Sequence, residues 1–298
     1  MSMFSKSSST PAPEHRTRVL KTWGIMTALA LSTLLTAPAQ AGRGSSPQAV
    51  ASAIASGSPD AIKSELEQAE HLVCAACVDY VMPLIDHGDA SVRDVAGWWL
   101  VRRGVSRRVF SDMLARLGQP DSVKARNAAD VLAAFQSPQA VPALGAALSN
   151  PIFTPEARVA MAHALGAIHR PTAAAPLQTA LTDQVPEVRA ASLAALRQIE
   201  GFRDGTVAVP LLNDADESVR VQAIFTIAER GTVSASPQLV QLLQSDSSAS
   251  VRKRAAWALG QIHAPASIAA GALGQAATSD ASPFVRSLAQ ASLAGLSR

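Results

Sequence analysis

One short phrase, repeated along the chain, closes off most folds. An apolar residue is followed by Arg and then by small residues running to Leu or Ile. It reads SVRDVAGWWL (91–100), EARVAMAHAL (156–165), EVRAASLAAL (187–196), SVRVQAIFTI (218–227), SVRKRAAWAL (250–259) and FVRSLAQASL (284–293), with a weaker copy, VKARNAADVL, at 123–132. The arginines Arg93, Arg126, Arg158, Arg189, Arg220, Arg252 and Arg286 are 31 to 34 residues apart. A fixed period of that length marks stacked units, each too small to bury its apolar face alone.

Each unit reads as two helices. In the phrase, apolar residues stand at its start and again four and eight positions later, as at Val219, Ala223 and Ile227. That spacing puts them on one face of a helix with 3.6 residues per turn. An earlier helix precedes it, as in VPALGAAL (141–148), with Pro142, Pro176 and Pro210 placed where an early turn tolerates a missing N–H. Gly104, Gly201 and Gly231 follow the phrase as helix terminators. His169 and His263 close their helices where a cation suits the C-terminal dipole. Aromatic residues are only 4% of the chain, and Ala and Leu carry its apolar content. This excludes an all-β fold and supports helix.

An Asp precedes the phrase arginine by six residues in four units: Asp183/Arg189, Asp214/Arg220, Asp246/Arg252 and Asp280/Arg286. The turn between the two helices holds the Asp. The expectation is a structural ladder in which each carboxylate caps backbone N–H groups and pairs with Arg within or between units.

These units resemble HEAT repeats of the short, phycobilisome-lyase-like type, over about residues 73–298. The resemblance rests on the Val-Arg, Ala and Leu phrase with its Asp. It implies an all-α fold, a right-handed α-solenoid of about seven two-helix repeats whose second helices line the concave side. That fold mostly serves protein binding, so it says little of activity. The iron hydroxylases built on HEAT repeats bind metal through His-Glu pairs. The dipeptide is absent from this chain, so their chemistry and their metal are not implied. No cofactor is expected.

One position in the second helix lies off the apolar stripe, six residues after its start. It holds Trp98, His163, Ala194, Phe225, Trp257 and Ala291. The bulky rings either cover the neighbouring repeat or form an aromatic row for a protein partner. Charge shifts nearby. Residues 43–92 carry 2 basic and 7 acidic residues, and residues 93–126 carry 8 basic and 3 acidic. Arg102 and Arg103 follow Trp98 and Trp99 by one turn and extend the candidate surface, with Arg107 and Arg108 close behind.

Cys74 and Cys77, in C-A-A-C, are the chain's only cysteines. Val78 stands where c-type haem attachment needs His, and a four-ligand zinc site lacks its second pair. A disulfide, structural or redox-active, remains for these two residues.

The N-terminus reads as a leader. Lys6, Arg16, Arg18 and Lys21 precede an apolar run from Trp23 to Leu35, followed by Ala39-Gln40-Ala41. A basic start, a short apolar stretch and an A-x-A site make a secretory signal peptide at 1–41, cleaved after Ala41. The run is too short to span a bilayer, and no stable membrane insertion is expected after cleavage. Four of the chain's 26 basic residues and one of its 23 acidic residues lie in this segment, so the remainder carries no net charge. A nucleic-acid-binding surface loses its support. Residues 42–59 read as a flexible lead-in, residues 60–72 as a helix capping the first repeat, and residues 60–298 as the solenoid. The expected function is a non-enzymatic scaffold, periplasmic or secreted, holding another protein on its concave face. The alternative is an accessory factor of a periplasmic redox or cytochrome system that uses the cysteine pair.

Overall fold

The computed structural model describes residues 45–296. The signal peptide expected at 1–41 and its expected cleavage site lie outside the described residues. Fifteen α-helices, interleaved with short 3-10 turns, make up the described chain, which contains no strand. In order they are α1 Pro47–Ala55, α2 Pro59–Gln68, α3 Ala75–Val81, α4 Ala90–Val101, α5 Ser106–Leu117, α6 Ser122–Phe135, α7 Val141–Leu148, α8 Pro155–Ala167, α9 Ala174–Thr179, α10 Pro186–Gln198, α11 Glu217–Arg230, α12 Ser236–Ser245, α13 Ala249–Gln261, α14 Ala266–Ser279 and α15 Pro283–Leu296.

The phrase copies form α4, α6, α8, α10, α11, α13 and α15, and each packs on the next in that order. Their partners form a second layer: α3, α5, α7, α9, a pair of 3-10 turns at Gly205–Ala208 and Pro210–Asn213, α12 and α14. The molecule is an α-solenoid with one continuous core between the two layers. Val92, Val188, Val219, Val251 and Val285, which open the phrase, are all fully buried, as are Leu100, Leu165, Leu196 and Leu259 near its end.

Small residues let the second helices approach closely. A Cβ placed on Gly166 of α8 would stand 3.0 Å from both Cα and Cβ of Ala195 on α10. The same construction at Gly97 of α4 meets the Val131 carbonyl of α6 at 3.2 Å. Ala-rich, Gly-dotted second helices are therefore a packing requirement as well as a propensity.

Two expectations about the N-terminal end give way. Residues 47–55 are helical rather than flexible: Ser46 accepts the Ala49 N–H as N-cap, Pro47 opens the first turn, and Val50 is fully buried. The capping element is thus two helices, with α1 packed on α2 and α2 packed on α4 in the manner of a second helix. Their Ile62 and Leu66 extend the core.

Helix ends follow local chemistry. Gly231 ends α11 with φ of 63° and Gly201 has φ of 73°, whereas Gly104 has no such conformation. His169 and His263 take the left-handed conformation usually given to glycine, with φ of 57° and 49°. His169 Nδ1 lies 2.8 Å from the Gln198 carbonyl oxygen.

Candidate functional site

The ladder is real, and its two halves do different jobs. Arg189 Nη1 donates to its own unit's Asp183 carbonyl at 2.7 Å, while Nε and Nη2 fork onto the Asp214 carboxylate of the following unit at 2.8 and 2.7 Å. Arg220 repeats this with the Asp214 carbonyl and the Asp246 carboxylate. Arg252 does so with the Asp246 carbonyl and the Asp280 carboxylate. Arg158 joins through Nη1 to Asp183. Arg189, Arg220 and Arg252 therefore each close their own turn through the backbone and tie two repeats through a side chain, whereas Arg158 makes only the inter-repeat bond.

The acids accept backbone N–H groups as expected, but within the turn and not at the helix N-terminus. Asp183, Asp214, Asp246 and Asp280 each accept the N–H two residues on, at Val185, Asp216, Ser248 and Ser282. Helix capping falls to other residues, among them Asp216 for α11 and Ser248 for α13. An Asp reaches its own i+2 amide easily, and doing so aims the carboxylate at the preceding repeat. The Arg252 bond holds the Asp280 carboxyl below its usual value. The Asp214 bond raises Arg189 in return.

The weak second copy breaks the ladder. Burial of Ala125, Ala128, Ala129, Val131 and Leu132 puts α6 in register with α11 when VKARNAADVL is laid on SVRVQAIFTI. Ala125 then holds the ladder position, and Arg126, one place off, bonds only Asn127. Asp130 falls at the position of Phe225, and Arg93 turns to it with Nε and Nη2 at 2.8 and 2.6 Å. Arg93 Nη1 closes its own turn on the His87 and Gly88 carbonyls, and the Asp86 carboxylate accepts from Arg116 and Asn127. At the other end Arg286 donates to the Asp280 and Ala281 carbonyls, and among the described residues it meets no carboxylate.

The off-stripe position forms a row along the second helices: Trp98, Asp130, His163, Ala194, Phe225, Trp257 and Ala291. Trp98, Phe225 and Trp257 are half-buried and His163 is exposed. Phe225 and Trp257 meet edge-on with centroids 5.5 Å apart. Arg197 and Arg254 stand over Phe225 at 5.9 and 5.5 Å. The sequence reading missed these two arginines because they lie outside the off-stripe position; their only signal was proximity to a ring across the repeat boundary. Burial lowers Arg197, which also binds Gln222 and lies 3.4 Å from Glu229.

At the N-terminal end a groove of about 670 Å³ crosses α2, α4 and α6, with Lys63, Glu67, Asp94, Trp98, Arg102 and Gln136 in its wall. Arg102 lies over Trp98 at 4.4 Å and 3.5 Å from Glu70. Asp94 is exposed in the groove wall, and among the described residues it has no hydrogen-bond or ion-pair partner. Desolvation in the groove, with the charge of Asp130, pushes its carboxyl up. Asp130 is also raised, by burial, against the opposing Arg93 bond.

Arg103 leaves the candidate surface. It stacks on the fully buried Trp99 at 3.5 Å and donates to the carbonyls of Ala69 and Glu70. Trp99 Nε1 donates to the same Ala69 carbonyl at 3.1 Å. Burial, then the neighbouring Arg102, lowers the Arg103 guanidinium. Its role is to close the C-terminal end of α2 onto α4.

Cys74 and Cys77 are joined by a disulfide, with Cα atoms 5.3 Å apart. A bridge within a regular helix would need a loosened first turn. That difficulty does not arise, because Cys74 is the N-cap of α3 in extended conformation, with φ −146° and ψ 103°. An N-cap side chain naturally faces residue N3, which here is Cys77. Among the described residues no group of His, Cys, Asp and Glu has the makings of a metal site. No described helix is long and apolar enough to cross a membrane.

A family model described as HEAT repeats matches residues 110–197 and 206–294. No curated protein matches the sequence. The X-ray structure of Escherichia coli YibA superposes with a TM-score of 0.53 at 15% identity, over 85% of this chain and 93% of that one. Kap95p, from a study of its binding to RanGDP, gives 0.58 at 13% identity, over 83% of this chain and 38% of that one. Kap121p bound to the extreme C-terminus of Cdc14p gives 0.51 at 14% identity, over 83% and 33%. At these identities the likeness speaks for the fold alone.

Proposed function

We propose that this chain, which belongs to the HEAT-repeat family, is a scaffold that holds a protein partner on the face built by its second helices. The observation that carries the reading is the Phe225–Trp257 pair with Arg197 and Arg254 about it. These rings lie off the fully buried stripe and are half-buried, with Trp257 resting against the edge of the core. Aromatic rings and arginines are the residues enriched where protein partners anchor. Kap95p, which binds RanGDP, and Kap121p, solved bound to the extreme C-terminus of Cdc14p, share the fold and lend the reading support. Trp98 and Arg102 add a second patch on the same series of helices, and His163 lies between the two.

The test is capture with purified wild type and with the Phe225→Ala, Trp257→Ala double variant. Both should give the same helical circular dichroism, and the variant should lose the partner that wild type retains. A variant that stays folded and holds the same partner with full affinity overturns the reading.

The working compartment we propose is the periplasm or the exterior, on the strength of the leader at 1–41. Mass analysis of protein from the native host should find a mature start at Gly42. A chain retaining Met1 in the cytoplasm refutes export.

A further inference from the structure

The cysteine pair has no part in the scaffold reading, and its surroundings are those of an accessible exchange site. Cys77 is fully buried, while Cys74 is only partly so. Residues 72–78 around Cys74 carry no charge, with exposed His71 before them and exposed Asp79 after them. Val73 is wholly exposed, Ala75 and Ala76 are exposed, and Tyr80, one turn beyond Cys77, is 45% exposed. Val73 and Tyr80 are exposed large apolar side chains near the disulfide, and they give an incoming apolar segment a place to rest. The bond closes a loop of a few residues, so it restrains the unfolded chain little. The Cys77 N–H also points at Cys74 Sγ, at 3.0 Å, where it would stabilise negative charge on that sulfur.

We propose that Cys74–Cys77 is a thiol–disulfide exchange site, with Cys74 as the sulfur attacked and a protein dithiol, presented on an apolar segment, as the substrate. In the first step a substrate thiolate attacks Cys74 Sγ. A bond forms between them, the Cys74–Cys77 bond breaks, and the electron pair leaves on Cys77 Sγ, which takes up a proton. In the second step the substrate's other thiolate attacks its own sulfur in that mixed disulfide. The substrate disulfide forms and Cys74 leaves as a thiolate, steadied by the Cys77 N–H until it is protonated. The substrate has lost two electrons and two protons, and the pair has gained them as two thiols.

The experiment begins with the wild-type protein and dithiothreitol as the probe dithiol, with thiols counted by the mass shift of an alkylating maleimide. Two thiols should appear at full helicity, at a rate unchanged by urea below the unfolding transition. Reduction that occurs only as the protein unfolds overturns the proposal. Next, the Cys77→Ala variant should form a glutathione adduct on Cys74, with glutathione disulfide as reagent. The adduct on Cys77 in the Cys74→Ala variant should form at least about tenfold more slowly, since its sulfur is buried. Equal rates refute the assignment of Cys74. Finally, Val73→Asp should slow reduction by a synthetic dithiol peptide flanked by leucines and leave reduction by dithiothreitol unchanged. Equal slowing of both, or of neither, removes the docking shelf from the proposal. If a cysteine variant fails to fold, the wild-type kinetics with and without urea still decide the matter.

Discussion

The ladder makes a sharp prediction, because its internal and terminal rungs differ in one respect only. Arg220 gives two hydrogen bonds to the Asp246 carboxylate and two more to the carbonyls of Asp214 and Ala215. Asp246 is 5% exposed and Arg220 12%. Arg220→Met keeps the apolar stem but strands that carboxylate with the Ser248 N–H as its remaining donor. Breaking a buried ion pair from one side costs about 3–5 kcal/mol, mostly the desolvation of the abandoned charge. Arg286 makes the same two backbone bonds and has no carboxylate to strand. Arg286→Met should therefore cost only about 1–1.5 kcal/mol. Urea unfolding followed by circular dichroism gives both values. Repeat arrays are held by nearest-neighbour terms, so amide exchange should localise the Arg220 loss to α11 and α13. Adding Asp246→Asn should restore about 1.5–3 kcal/mol of the Arg220→Met loss, as the cycle for a coupled pair requires. If Arg286→Met costs as much as Arg220→Met, the inter-repeat carboxylate is not what the ladder is for.

Two glycines should respond oppositely to Ala. Gly166→Ala drives a Cβ into Ala195 and should cost about 1–3 kcal/mol of overpacking, more than the roughly 1 kcal/mol of helix propensity it gains; Gly271→Ala in α14 meets nothing within 4 Å and should raise the melting temperature. The reverse order in thermal melts would contradict the close approach of α8 and α10. Asp94, whose carboxyl is raised, binds protons more tightly folded than unfolded, so its ionisation lowers stability as pH rises from the ordinary aspartate value through the folded one. Asp94→Asn should be stabilising at pH 7 with the gain fading below about pH 4, and a loss at pH 7 would show that Asp94 has a favourable partner. Asp280 has the opposite sign: its depressed value contributes stability above the ordinary aspartate range, and this is lost as pH falls through the folded value, so Asp280→Asn should flatten the acid limb of a stability–pH curve. Leu196→Ala should cost about 2–5 kcal/mol through the cavity it leaves, and the exposed His163→Ala far less; equal costs would mean that the row is core.

What could be read from the sequence was whatever repeats. A phrase recurring at one period averages away local noise, so the second helices, their buried faces and the ladder's residue types were all visible. Direction was not. Six residues separate Arg220 from Asp214, and that spacing suits a pairing within the unit as well as one across units. Only the Asp246 carboxylate, turned back by its own bond to the Ser248 amide, decides the matter. The first helices were harder because they are short and partly 3-10, down to two such turns before α11. The first of them, α1, is composed of Pro, Gln, Ala, Ser, Val and Ile beside a glycine- and serine-rich stretch, so composition masks a helix whose stability comes from burying Val50. The shift of α6 by one residue was hidden for a different reason. Arg126 satisfies the phrase by eye, and only the burial of Val131 and the reach of Arg93 to Asp130 reveal that Ala125 holds the structural place. Arg103 shows the converse error: beside a tryptophan pair it resembles a surface cation, yet it turns inward to donate to the Ala69 and Glu70 carbonyls at the end of α2.

The division of labour within each second helix leaves the off-stripe row as the place where the proposed partner contacts can differ from repeat to repeat. The phrase's opening residue and those four and eight places on are committed to the core, and the Arg after the first is committed to the neighbouring unit. Small residues such as Gly97 and Gly166 are held small by backbone contact. The off-stripe position carries none of these duties, so nothing in the fold requires it to repeat, and it does not: Trp98, Asp130, His163, Ala194, Phe225, Trp257 and Ala291 share only a place. A row that varied at random would also scatter its satisfying contacts. Here Asp130 is engaged by Arg93, and Phe225 with Trp257 gathers Arg197 and Arg254 from two different helices. Ala194 lies between these groups and leaves α10 without a large side chain at that place. The candidate surface is therefore two patches, a groove around Trp98 that mixes apolar and charged side chains and an aromatic–arginine cluster at Phe225, separated by α10, which is flat at Ala194. The proposed partner fits such a surface if it makes two contacts and spans the helix between them, so loss of Trp98 and loss of Trp257 should each weaken binding without abolishing it.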